Sequence, residues 1–220
     1  MFIFAEKLHD KAGGPSVSIP EFAKALTRKG KENIIFCKSN QLGKLLASNP
    51  EINISSYDNL LILVLNFLKL RRKMTKQDRI LHINFIWQPE LFLVCIMGLI
   101  FNFKIIVNPR GMLNDAALSS GSFLKLPLLI LFIRPILILA VDFFQCSSDQ
   151  ELAAVEKRFP KKNIFLNTLG YKKLYGGKQV HFRDKFYNKT ITSISRIDPH
   201  KNLDEMVEEF INSELGQVGW

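Results

Sequence analysis

Seven short runs rich in β-branched and aromatic residues alternate with helical patterns over the first 170 residues, and that alternation constrains the fold more than any single motif. The runs are Phe2–Phe4, Asn33–Cys37, Glu51–Ile54, Arg79–Ile83, Lys104–Asn108, Val141–Gln145 and Asn163–Leu166. Between them the period lengthens to that of a helix over Ser18–Lys29, Gln41–Ala47, Asp58–Met74, Pro89–Phe101, Ala117–Leu139 and Ser148–Arg158. Strands and helices alternating at this spacing predict a parallel sheet covered on both faces, an α/β domain of the doubly wound type. Ser148-x-x-Glu151 reads as a capping box for the sixth helix, and Asn202-x-x-Glu205 as one for a further helix.

After Gly170 the apolar period fails. Tyr171 to Lys189 is polar and basic with Gly176-Gly177 at its middle, which reads as a linker. Beyond it lie one strand, Thr190–Ser195, and one helix, Asn202–Ser213, with seventeen residues after Leu203. The expected organisation is a domain at 1–170, a linker at 171–189 and a fragment of a second domain at 190–220. One strand and one helix cannot bury their own faces. The chain therefore reads as a product truncated early in its second domain.

With 220 residues and 47% hydrophobic content, a sizeable core is expected rather than disorder. The net charge of +10 is concentrated. Lys69–Arg79 holds six Lys or Arg against Asp78, and Lys157–Lys189 holds ten against Asp184. Such an excess favours an anionic partner. Zinc-ligand spacing, an RNA-binding signature and a stripe of exposed aromatics are all missing, so phosphate or an anionic membrane surface is expected and nucleic acid is not. Cys37, Cys95 and Cys146 are odd in number and set in apolar patterns, as reduced core residues of a cytoplasmic protein are; no metal site is expected. The start carries no signal-peptide pattern. Leu91–Val107 and Phe123–Phe144 are apolar but broken by Asn102 and Lys104, and by Lys125, Pro127, Arg134, Pro135 and Asp142. Both suit a buried helix or one lying on a membrane better than a span.

Candidate chemistry lies at strand ends. Ser195-Arg196 closes the last strand and Lys201 opens the last helix, gathering two cations and free backbone N–H groups where an anion such as a diphosphate would sit. Gly13-Gly14, after the first strand and before a helix, lets the backbone approach a bulky anionic ligand. His82 and Arg110 stand at the carboxyl ends of two strands, where open α/β sheets bind ligands. His82 on its own reads first as a satisfied, half-buried histidine and only second as a site residue. Arg110 beside Gly111 has little purpose in a core. Asp115, Asp142 and Asp149 read as loop and cap residues. The fingerprint Gly-x-Gly-x-x-Gly is missing, so no nicotinamide cofactor is indicated.

In order along the chain, Gly13-Gly14-Pro15-Ser16 with Ser18-Ile19-Pro20, the His82 strand end, Pro109-Arg110-Gly111-Met112-Leu113, Cys146-Ser147-Ser148 with Glu151, and Ser195-Arg196-Ile197 with Lys201-Asn202-Leu203-Asp204 resemble the family 4 glycosyltransferases of the GT-B fold. The resemblance implies an acceptor-binding Rossmann-like domain followed by a nucleotide-sugar-binding one, and a retaining transferase that uses a nucleotide-diphosphate sugar as co-substrate and no other cofactor. It implies a glycan or lipid-linked acceptor at the inner face of a membrane. Arg196 and Lys201 fall where the family neutralises the donor diphosphate, Gly13 and Gly14 in the loop near the phosphates, and Arg110 and His82 on the acceptor side, His82 also being the weak catalytic candidate. The family's Glu-x7-Glu motif has no counterpart, since no two glutamates here are eight positions apart. Leu169-Gly170-Tyr171 stands where Asn-Gly is more usual. A non-catalytic binding or scaffold subunit at a membrane face is the alternative.

Overall fold

The computed structural model describes residues 1–9, 14–43, 50–119, 124–167 and 203–212. The chain divides into two compact units, Met1–Gly170 and Tyr171–Trp220. The first holds seven strands: β1 (Phe2–Phe4), β2 (Ile34–Lys38), β3 (Ile54–Tyr57), β4 (Ile80–Ile83), β5 (Lys104–Val107), β6 (Phe143–Cys146) and β7 (Asn163–Leu166). They form one sheet in the order β3-β2-β1-β4-β5-β6-β7, every pair parallel. The expected doubly wound α/β fold is present. The chain runs outward from β1 to β3 and then crosses back to β4. The order therefore reverses between β1 and β4, at the switch point where such sheets open a crevice.

Successive strand residues face opposite sides. Phe2, Phe4, Phe36, Leu81, Ile83, Ile105, Val107, Phe144 and Cys146 belong to the larger buried cluster, while Ile3, Ile35 and Cys37 face a smaller one. Helix α1 (Gly14–Arg28) covers the smaller side through Ile19 and Ala23. On the larger side lie α2 (Leu60–Arg71), α3 (Glu90–Ile100) and, beyond a short α4 (Asp115–Ser119), a rod made of α5 (Lys125–Leu128), a π turn (Leu129–Ile133) and α6 (Arg134–Ala140). Helix α7 (Asp149–Arg158) joins that side through Val155 and Phe159, whose ring lies 4.8 Å from that of Phe144. Gly98 lets α3 press on the sheet: a Cβ there would stand 2.6 Å from Ile105 Cδ1 and 2.8 Å from Leu81 Cδ1. In the second unit the described element is α8 (Leu203–Asn212).

Several boundaries differ from those expected, each for a local reason. The third strand is Ile54–Tyr57 rather than Glu51–Ile54; Ser55 and Ser56 hid it, because an edge strand paired only to β2 tolerates polar residues. Gln41 ends a 3₁₀ turn instead of opening an α-helix, and Leu42 bridges to Leu8; 44–49 lie outside the described residues. The helix expected from Asp58 starts at Leu60, because Asn59 caps it by accepting from the Ile62 amide at 3.0 Å. The single helix expected over Ala117–Leu139 is divided. Pro135 has no N–H to close an α turn, and the π turn directly before it absorbs the mismatch. The strand expected at Thr190–Ser195 and the linker at 171–189 lie outside the described residues. Cys37, Cys95 and Cys146 are free thiols, all buried. Among the described residues, no helix is long and apolar enough to cross a membrane.

Candidate functional site at the carboxyl edge of the sheet

A chain of polar side chains crosses the switch point. Asn84 follows β4 directly, and its backbone N–H continues the ladder by donating to Phe4 O of β1 at 3.0 Å. Its side-chain Nδ2 donates to the same carbonyl at 3.1 Å. Its Oδ1 accepts from Arg110 Nε at 3.2 Å and Nη2 at 2.9 Å, and Arg110 Nη1 donates to Ser18 Oγ of α1 at 2.8 Å. A guanidinium can only donate and a carbonyl can only accept, so the orientation of the Asn84 amide is fixed by its partners.

That orientation sets the state of His82. Asn84 Nδ2 lies 3.1 Å from His82 Nδ1, which must therefore present a lone pair, and the ring proton sits on Nε2, donating to Gln145 Oε1 at 2.8 Å. Phe22 of α1 packs on the ring with centroids 5.1 Å apart. Burial lowers the His82 pKa to about 4, against a rise from the Gln145 bond and with a further lowering by the Arg110 charge. The imidazole is neutral near pH 7. At 2% exposure with both nitrogens engaged, it orients Asn84 and through it Arg110.

Arg110 is held from below as well. It has φ of 55°, in the left-handed region, followed by Gly111 at 75°. Asn108 Oδ1 accepts the Arg110 amide at 3.1 Å, stabilising the turn. Glu151, 1% exposed, takes the Gly111 amide on Oε1 at 2.6 Å and the Ser147 amide and hydroxyl on Oε2, each at 2.7 Å. One carboxylate thus ties the loop after β5 to the loop after β6. The capping box expected here is altered: Ser148 Oγ accepts from the Glu151 amide at 3.2 Å, but the Glu151 side chain serves Ser147 and Gly111. Burial lowers the Arg110 pKa, with the Glu151 charge opposing in part, and the intrinsic basicity of a guanidinium keeps the charge in place beside the first turns of α1.

A second polar group stands further along the same edge. Lys38, the last residue of β2, pairs with Glu90 at the start of α3, Nζ to Oε1 2.5 Å. Among the described residues, Glu90 Oε2 and Asn108 Nδ2 are buried without a hydrogen-bond partner. Burial, with Glu90 next in effect, raises the Tyr57 phenol well above its ordinary value.

Of the residues singled out in the sequence, His82 and Arg110 are brought together through Asn84. Gly14 opens the helix whose Ser18 binds Arg110, and a Cβ on Gly14 would meet nothing within 4 Å. Gly13, Arg196 and Lys201 lie outside the described residues. Asp142 and Asp115 act as expected of loop residues. Asp142 Oδ2 accepts the Ile105 amide at 2.7 Å, and Asp115 pairs with Lys157 at 3.1 Å and Arg158 at 2.5 Å. Sequence reasoning missed Asn84, Ser18, Gln145 and Glu151 as members of the site. The period of two along β4 was the available signal for Asn84, since it places that residue on the same side as His82.

The fold and the crossing at its switch point define a Rossmann-like α/β domain, whose crevice opens at this edge. Among solved structures, the Anabaena protein Alr3699/HepE in complex with UDP matches with a TM-score of 0.53 and 12% identity, over 78% of this chain and 44% of that one. The same protein in complex with UDP and glucose matches with a TM-score of 0.51 and 11% identity, over 78% and 45%. This chain therefore spans less than half the length of the solved structures it resembles. No family model matches the chain, and no curated protein matches it by sequence.

Proposed function

We propose that this chain carries the acceptor-side domain of a retaining glycosyltransferase of the GT-B type, moving a sugar from a nucleotide-diphosphate sugar to a cell-surface polysaccharide, lipopolysaccharide or lipid-linked acceptor. The observation that carries the reading is the fixed Arg110 cation. It is clamped between Asn84 and Ser18 at the switch point, in a fold shared with a protein whose structure holds UDP. Glycosyl transfer from a nucleotide sugar develops negative charge on the departing diphosphate, and preorganised cations and helix N-termini meet that demand. Arg196 and Lys201 are assigned to the diphosphate, Gly13 and Gly14 to the loop facing it, and Arg110 to acceptor or phosphate. His82 is assigned to orienting Asn84 rather than to proton transfer, because its two nitrogens are already engaged. No cofactor beyond the co-substrate is assigned. The acceptor's place at the anionic inner face of a membrane belongs to the same reading.

The test is calorimetric binding of uridine and guanosine diphosphate sugars by the 220-residue chain, with Arg196→Ala and Arg110→Ala variants. Binding of one donor, weakened at least about tenfold by Arg196→Ala, is the expected result, as loss of a charge-assisted contact implies. Failure of every donor to bind would leave a non-catalytic binding or scaffold subunit as the better reading.

A further inference from the structure

The outer helix layer on the larger side of the sheet has a composition that fold stability does not require. Helices α2, α3 and the α5–π–α6 rod contain one carboxylate between them, Glu90, which is 2% exposed and paired with Lys38. Their inner residues fill the core, yet their outer surface is also apolar: Leu61, Leu65, Ile100, Leu131, Phe132 and Leu139 are all more than half exposed, Leu139 at 71%. The exposed charged residues that accompany them are cations. Lys69 lies on α2, Arg72 and Lys73 follow it directly, and Arg134 opens α6, all exposed. Helices α1 and α7, by contrast, carry Glu21 beside Lys24 and Glu156 beside Lys157, the mixed-sign surface of an ordinary solvated helix.

We infer that the α2–α3–α6 layer is a docking surface for an anionic lipid bilayer. An apolar face rimmed by cations, in which no exposed acid interrupts the helices, matches acyl chains beneath a negatively charged headgroup layer. Carboxylates flank the layer at its borders: Asp58 before α2, Asp78 bonded to Thr75 Oγ1 at 2.5 Å, Asp142 bonded to the Ile105 amide, and Asp115 on α4, whose charge is met by Lys157 and Arg158. A second copy of the chain is a poorer occupant, because a symmetric pairing would bring cations against cations with no acids to oppose them. Among the described residues no helix is long and apolar enough to span, so the layer lies in the interface and does not cross it. The rod breaks its helix at the π turn, while Leu131 and Phe132 within that turn are 66% and 57% exposed. This deepens the membrane part of the reading above by naming the surface that carries it, and it holds whether or not the chain transfers a sugar.

The experiment is co-sedimentation of the 220-residue chain with mixed phosphatidylcholine–phosphatidylglycerol vesicles near physiological salt. Wild type is compared with Leu131→Glu combined with Leu139→Glu, and with Gln150→Glu combined with Ala153→Glu on α7 as a control for the same charge change. Binding weakened at least about tenfold by the double variant and little by the control is the expected result. Equal loss in both would reduce the effect to net charge and overturn the surface. Hydrogen exchange of the wild type with and without vesicles gives a second readout free of mutation: protection is expected over 60–71, 96–100 and 124–140, and protection confined to α1 or α7 overturns it. A concentration-dependent dimer in free solution that the double variant abolishes would reassign the face to a second copy. A chain that binds a sugar nucleotide but no vesicle would overturn this inference and leave the proposed transferase standing; one that binds vesicles through this face but no nucleotide would do the reverse.

Discussion

Two regions of the first unit break the usual rule of burial in opposite directions. At the carboxyl edge, His82, Asn84, Asn108, Gln145 and Glu151 are each at most 5% exposed. On the outer helix layer, Leu61, Leu131 and Leu139 are each at least 66% exposed. The first region hides polarity, which is tolerated only because nearly every group finds a partner. The second exposes apolar surface that water should disfavour. Neither departure is a general requirement of a parallel sheet. They differ in how they answer mutation. The edge is cooperative and stability depends on it, whereas the outer layer is loosely coupled to folding.

The largest effect expected is at Glu151. Its two oxygens accept from Gly111 N, Ser147 N and Ser147 Oγ, and truncation strands two backbone donors in a buried place. Glu151→Ala should lower unfolding free energy by about 4 kcal/mol in urea titrations, and Glu151→Gln by roughly half of that because an amide oxygen keeps one side of the clasp. A loss below about 1 kcal/mol for the alanine variant would show that the two loops are held by other means, and the contrast with the outer layer would weaken.

Next comes the pH dependence of the same edge. The His82 pKa is lowered to about 4 from 6.5, so the unfolded chain binds the proton first as pH falls. Stability from this group is fully present above pH 6.5 and is lost progressively as pH falls toward 4. The shift corresponds to about 3 kcal/mol. Carboxylates titrate in the same range, so the difference between wild type and His82→Gln is the relevant quantity. The variant should be less stable at pH 7 and nearly level with wild type at pH 4. Parallel stability curves for the two proteins would remove His82 from the network. The Lys38–Glu90 pair is the neighbouring case along the same edge: Lys38→Met leaves a carboxylate at 2% exposure without its cation and should cost about 3 kcal/mol in urea titrations.

How legible these regions were follows from the range of the forces that make them. The seven strands and their parallel order were readable because apolar runs of period two and helical runs of period 3.6 are local signals. Even so, Ser55 and Ser56 concealed β3, since an edge strand is specified by its neighbour β2 rather than by its own hydrophobicity. Arg110 was readable as an arginine at a strand end without a structural purpose. Its clamp was not, for Ser18 lies 92 residues away and Asn84 26 residues away in sequence. Glu151 was read correctly as a residue of a helix start, and that local reading obscured its longer reach to Gly111. The outer layer could be seen only in outline: Phe123–Phe144 was too interrupted to span and too apolar to be a solvated helix, but which leucines face outward depends on the π turn before Pro135.

The smallest effect on stability is expected where the surface is most apolar, and that result sharpens the comparison. Leu131 is 66% exposed, so replacing it removes little packing; surface changes of this kind usually alter stability within about 0.5 kcal/mol. Leu131→Gln should leave the urea midpoint and the slope of the transition almost unchanged. If instead Leu131→Gln destabilised the chain by about 2 kcal/mol, the scale of a buried leucine, the side chain would be covered in solution, and the layer would be an interior face rather than one kept open for a bilayer. A neutral result means that the exposed leucines are retained at no benefit to folding, and that the edge, which holds a cation in place, and the layer, which is left open, are separable by mutation.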